Sequence, residues 1–249
     1  MPPRALRPVG IALVDKHPGP SSFAIVATLR RRTRARTGHA GTLDPFASGL
    51  LVLLSGAATR LAPCFVGLDK RYVTDVDLTS TTSTGDPEGE TLERHAAPGR
   101  SELDAALERL RGTVELVIPA ASAVKIGGER AYRLARRGVE VEMPSRRSVV
   151  HALDVIGYDG TSVRLSLHVS SGTYVRSVAQ ALGGHCTTLR RTAVGPFSVE
   201  EADADPATAR LLDVESVLVR LPADALERVS GPVRAGVLAA AAGGGVGAA

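Results

Sequence analysis

Five apolar residues in succession, Leu50-Leu51-Val52-Leu53-Leu54, constrain this chain more than any other stretch. A strand points successive side chains to opposite faces, so an unbroken apolar run has to be covered on both sides. The run predicts a buried strand inside a sheet, followed at Gly56 by a helix through Ala57-Ala58-Thr59-Arg60-Leu61. A chain of 249 residues that is 44% hydrophobic holds enough apolar material to bury such a strand.

The patterns around it mix strands and helices. Gly10 to Val14 reads as a short strand ended by the turn-rich Asp15-Lys16-His17-Pro18-Gly19-Pro20. Ser21 or Ser22 can cap the next helix, whose apolar face of Ile25, Val26 and Leu29 runs into arginines before Thr37-Gly38 stops it. Arg71 to Leu78 alternates, with Tyr72, Thr74, Val76 and Leu78 on one face. Ser101 with Asp104 predicts a capped helix start, and Leu103, Ala106, Leu107 and Leu110 recur at helical spacing until Gly112. Val149 to Tyr158 and Ser162 to Val169 predict a hairpin about Asp159-Gly160. Gly172-Thr173 opens a helix ended by Gly183-Gly184, and Leu189 to Phe197 is extended again. With no regular βαβ alternation, the expectation is an α+β fold with a largely antiparallel central sheet flanked by helices.

These elements organise the chain as a catalytic-sized domain over residues 1–200, with a basic insertion at about 118–147 that reads as a hairpin or helical flap. Residues 201–237 form a short extension, of which 211–237 are expected to hold one helix and a short extended piece. The Ala/Gly-rich residues 238–249 have little to bury and are expected to stay disordered. Only Cys64 and Cys186 occur, in no metal-like spacing, so no disulfide framework and no metal site is expected. No run approaches the roughly 18 apolar residues of a membrane span, and Met1-Pro2-Pro3-Arg4 lacks a signal-peptide core, so a cytoplasmic location is expected.

Charge is uneven. Residues 1–200 hold 26 basic and 19 acidic side chains, whereas residues 201–249 hold 4 and 7. A basic body favours a polyanionic partner, and Arg30, Arg31, Arg32, Arg34 and Arg36 form its densest cluster. The alternative for that cluster is a solvated helix end, where cations meet the C-terminal dipole favourably. Between helix and buried strand lies Gly38-His39-Ala40-Gly41-Thr42-Leu43-Asp44-Pro45-Phe46-Ala47-Ser48-Gly49. Its glycines suit close approach to a ligand, yet no Gly-Lys-Ser/Thr follows to make a phosphate-binding loop. By residue preference alone, Asp44-Pro45 reads as a turn initiator.

This run resembles the catalytic motif of the TruB-type tRNA pseudouridine-55 synthases, approximately Gly-His-Thr-Gly-Thr-Leu-Asp-Pro-Leu-Ala-Thr-Gly, at nine of twelve positions. The resemblance continues through Asp15-Lys16, Lys70-Arg71-Tyr72, Ser122-Ala123-Val124-Lys125, Arg130-Ala131-Tyr132, Ser171-Gly172-Thr173-Tyr174-Val175-Arg176 and Leu189-Arg190-Arg191. It implies the pseudouridine-synthase fold and an isomerisation without cofactor: the uracil N1 to C1′ bond breaks, the base rotates while bound, and C5 joins C1′. Asp44 would be the carboxylate that attacks C1′ or removes a ribose proton.

The same resemblance assigns companions. Arg176 matches the arginine that pairs with this aspartate, against the alternative of a surface helix residue. Tyr72 matches an active-site tyrosine suited to stack on uracil, against a half-buried strand tyrosine. Tyr174 and Leu189 would line the pocket or serve the core. His39 would fill the stack vacated by the extruded base, or bond its own backbone. Arg30, Arg31 and Arg130 would grip phosphates of the tRNA T-arm, recognised largely by shape. A monomer with no obligate protein partner is implied.

Several positions depart from the pattern. Ala40 and Ser48 replace threonine, Phe46 replaces leucine, and His17 stands where proline follows Lys16. Ser83 stands where many relatives carry aspartate, and the chain after Phe197 is short for a complete C-terminal RNA-binding domain. Two other readings share these residues: a guide-dependent RNA pseudouridine synthase, and an idle tRNA-binding or folding factor.

Overall fold

The structure, a computed structural model, describes residues 8–139 and 141–243. It opens with β1 (Gly10–Lys16), an almost wholly buried strand. Ser21 caps α1 (Ser22–Thr33), its hydroxyl accepting from the Ala24 N–H at 3.2 Å, and Ile25, Val26 and Leu29 turn inward. The helix ends before the arginine cluster does, because Arg34 adopts a left-handed conformation at φ 51° and its N–H closes on the Arg30 carbonyl. β2 (Thr37–His39) and β3 (Ser48–Ser55) flank the glycine-rich loop, and every residue from Gly49 to Ser55 is buried. The helix expected at Gly56 begins as a 3₁₀ turn over Gly56–Leu61 and continues as α2 (Ala62–Val66).

β4 (Lys70–Asp77) alternates as expected, with Tyr72, Thr74 and Val76 buried. β5 (Ser80–Thr82) and β6 (Thr91–Arg94) form a small separate sheet. At α3 (Arg100–Arg109) the expected cap is corrected. Gly99 occupies that position and its N–H donates to the Glu102 carboxylate at 2.9 Å, while Asp104 pairs with Arg100. After β7 (Gly112–Val117), the basic insertion contains a minimal hairpin, β8 (Lys125–Ile126) with β9 (Glu129–Arg130), and the short helix α4 (Ala131–Arg136).

β10 (Ser145–Tyr158) and β11 (Ser162–Val169) make the expected hairpin. Its turn is tied by the Asp159 carboxylate, which accepts from the N–H and hydroxyl groups of both Thr161 and Ser162. α5 (Val175–Ala181), β12 (His185–Val194) and β13 (Phe197–Ser198) follow. The C-terminal region holds three helices in place of one helix and an extended piece: α6 (Val214–Leu218), α7 (Ala223–Glu227) and α8 (Gly231–Gly243). The stretch expected to be disordered from residue 238 is thus helical as far as Gly243, and residues 244–249 lie outside the described residues.

The chain divides into two compact units, Met1–Lys70 with Arg190–Ala249, and Arg71–Leu189. In the first, β3 is flanked as its apolar run demands. β1 pairs with it antiparallel from Gly10 opposite Ser55 to Lys16 opposite Gly49. β2 also pairs antiparallel, and the end of β12 pairs in parallel, Arg190 opposite Ser48 and Arg191 opposite Gly49. Leu50, Val52 and Leu54 pack with Leu61, Phe65, Phe197, Val214, Leu218 and Val237, so α6 and α8 complete this core. In the second unit β4, β11, β10 and β7 lie side by side in that order, with β10 antiparallel to both neighbours. Alongside the parallel β12–β3 ladder, β1 and β2 run antiparallel to β3 and β10 runs antiparallel to β7 and β11, and this mixed sheet with its helices is an α+β fold. Among the described residues, no helix is long and apolar enough to cross a membrane.

Candidate active site

In the first unit the loop between β2 and β3 is held by its carbonyls. The Lys16 ammonium, fully buried at the end of β1, donates to the carbonyls of Ala47 at 2.6 Å, His17 at 3.0 Å and Pro45 at 3.1 Å. Ser22, at the start of α1, bridges one residue twice: its hydroxyl donates to the Leu43 carbonyl and accepts the Leu43 N–H, both at 2.8 Å. The Gly19 N–H donates to the Pro45 carbonyl at 2.8 Å. From β12, the buried Arg191 guanidinium donates to the carbonyls of Gly41 at 3.0 Å and Thr42 at 3.3 Å. Half-buried Asp44 lies within this arc, and its own carbonyl accepts the Ala47 N–H at 3.1 Å. A loop restrained on both sides of one carboxylate is the arrangement that preorganised chemistry requires.

His39, at the end of β2, is half-buried and paired opposite Leu53. Its Nδ1 is buried with no hydrogen-bond partner among the described residues, so that atom makes no local backbone bond. Burial first, and the Arg191 charge second, hold the imidazole below its ordinary pKa of 6.5 and keep it neutral at neutral pH. Arg30 and Arg31 are exposed in the last turn of α1, where Arg31 also donates to Thr28 Oγ1 at 3.0 Å.

In the second unit, Tyr72 is buried on β4 and Leu189 is buried on β12. Tyr174 is half-buried in the extended residue before α5. Arg176, the second residue of α5, is only 2% exposed, which excludes the surface alternative. It donates to the carbonyls of Thr84 at 2.6 Å and Ala121 at 3.0 Å, and its guanidinium lies 3.4 Å from the Asp86 carboxylate. Asp86 is itself organised by the Thr84 hydroxyl at 2.6 Å and the Glu88 N–H at 3.0 Å. Arg130 is exposed in the basic insertion and donates to the Ala123 carbonyl across its own hairpin.

Neither the loop anchors Lys16, Ser22 and Arg191 nor the Arg176 partner Asp86 is singled out as a site residue by the amino-acid sequence, where Ser22 offers only a helix cap. Lys16 falls in the turn-rich segment after the apolar run at residues 10–14, and Arg191 stands beside Arg190 in a run that reads only as extended, so neither announces its burial locally. Asp86 stands in Asp-Pro-Glu-Gly, which signals a turn and nothing more. Ser83, the position singled out for a missing aspartate, is exposed, and the buried carboxylate lies three residues on.

Residues 29–175 match the family described as TruB family pseudouridylate synthase (N terminal domain). Fold and loop define the class: a pseudouridylate synthase. Within that class the chain belongs to the TruB family. A relative named tRNA pseudouridine synthase B in Chromohalobacter salexigens is 40% identical over 231 residues, covering 86% of this chain and 75% of the relative. Another of that name in Thermobifida fusca is 44% identical over 210 residues, covering 78% and 72%. Among solved structures, a Cbf5-Nop10-Gar1 complex contains a similar chain at 27% identity and a TM-score of 0.58. The match covers 76% of this chain and half of that one.

Proposed function

We propose that this enzyme isomerises the uridine at position 55 in the T-arm of tRNA to pseudouridine, acting as a cytoplasmic monomer with no obligate protein partner, guide RNA or cofactor. The observation that carries the reading is the anchored arc around Asp44: buried donors from Lys16, Ser22 and Arg191 hold the carbonyls at 41, 42, 43, 45 and 47. Relatives at 40–44% identity carry the name tRNA pseudouridine synthase B, which favours a stand-alone tRNA enzyme over the guide-dependent reading.

In this account Asp44 supplies the reacting carboxylate, by attack at C1′ or by removal of a ribose proton. The N1 to C1′ bond breaks, the uracil turns, C5 bonds to C1′, and the C5 proton leaves while N1 regains one. Arg176 is the arginine assigned to pair with this carboxylate, and Tyr72 stacks on the base and assists loss of the C5 proton. Tyr174 and Leu189 line the slot. His39, neutral and apolar-sided, fills the stack vacated when the base is extruded, a step that costs a few kcal/mol of unstacking. Arg30, Arg31 and Arg130 contact phosphates and read shape.

Because the C5–H bond is broken, tRNA carrying tritium at uridine C5 reports turnover by tritium release. Purified enzyme should release one tritium per unmodified tRNA and none when the T-arm uridine is replaced by cytidine. Release only after addition of a guide RNA supports the guide-dependent reading. Binding without release supports the folding factor.

A further inference from the structure

A guanidinium taken out of water is costly unless its donors are met. Arg191 is 1% exposed, and among the described residues its side-chain hydrogen bonds all go to backbone carbonyls. Nε reaches Leu50 at 2.7 Å, on β3, while the two Nη atoms reach Gly41 and Thr42 on the loop. One planar fork therefore ties the first half of the loop to the strand that follows its second half. The Arg191 backbone grips the same strand. It pairs in parallel with Gly49, which has φ +103° and leaves no room for a Cβ against the Arg191 carbonyl.

We propose that Arg191 is a positioning residue for the isomerisation, fixing Gly41 and Thr42 against β3 so that Asp44 is presented in its reacting position. This rests on the reading of Asp44 as the reacting carboxylate. Lysine cannot substitute, because an ammonium is a point charge on a flexible stem and lacks the fork that spans three carbonyls on two segments. The same guanidinium disfavours a proton on His39, so it also preserves a neutral imidazole beside the loop.

Arg191→Lys and Arg191→Gln are to be compared with wild type and Asp44→Asn in single-turnover tritium release, with Kd for the same tRNA measured separately. The rate falls about 10- to 100-fold in both Arg191 variants while Kd moves less than about threefold. Amide exchange accelerates across residues 41–47 and stays unchanged elsewhere, and the His39 imidazole, followed by NMR, titrates higher in Arg191→Gln. Wild-type rates in both variants overturn the proposal. So does a rate loss matched by equal loss of binding and by faster exchange throughout the chain, the signature of a merely structural residue. If wild type and Asp44→Asn turn over alike, the reading of Asp44 fails instead, and exchange over 41–47 with the His39 titration still decides whether Arg191 holds the loop.

Discussion

Ser22 satisfies both backbone groups of Leu43 with one buried hydroxyl, the residue before Asp44. Ser22→Ala leaves a buried N–H and carbonyl without that partner, at an expected cost of about 1–3 kcal/mol in denaturant unfolding and with slower turnover than binding loss explains. His39 gives a pH dependence of definite sign. Its folded pKa lies below 6.5, so the unfolded chain takes up this proton more readily. Its contribution to stability is complete above about pH 6.5 and is lost as pH falls through the lowered folded value. Unfolding midpoints measured from pH 7.5 to 5 should decline, and less steeply in His39→Gln. At this scale the sequence spoke unevenly. Asp44-Pro45 alone reads as a turn, and only the ordered motifs single out the carboxylate. Asp86 was hidden because its burial against Arg176 arises from a contact 90 positions away in the chain.

Elements were legible where the signal is local. The unbroken run at Leu50, the alternation through Tyr72, and Asp159-Gly160 between two β-rich runs each state their own structure. The parallel ladder between β12 and β3 was not, since no local pattern announces that Arg191 will lie opposite Gly49. Gly49 records that pairing: its φ of +103° suits glycine, and an added Cβ meets the Arg191 backbone. Gly49→Ala is expected to destabilise by about 2–4 kcal/mol, read by urea unfolding. The first helix tests a local device instead. Ser21→Ala removes the α1 cap and should cost about 1 kcal/mol without changing the single-turnover rate.

For the whole molecule, the α+β class followed from the mixture of periods, but the role of the last 40 residues did not. Their apolar residues come in short stretches broken by Pro222, Gly231 and Pro232, so α6 and α8 show their purpose only where Val214, Leu218 and Val237 join Phe65 and Phe197 in one core. Charge acts at this scale too. The basic excess of residues 1–200 predicts tRNA binding that weakens steeply with salt, and replacing Arg30 and Arg31 with alanine should reduce the slope of log Kd against log salt by about one per lost phosphate contact. The central claim is that chemistry is concentrated in one carboxylate while binding is spread over the surface. Tritium release and tRNA affinity measured side by side for wild type and Asp44→Asn test it most directly. The rate is expected to fall at least about a thousandfold in the variant while Kd stays within about threefold of wild type. Turnover by Asp44→Asn at the wild-type rate would contradict it.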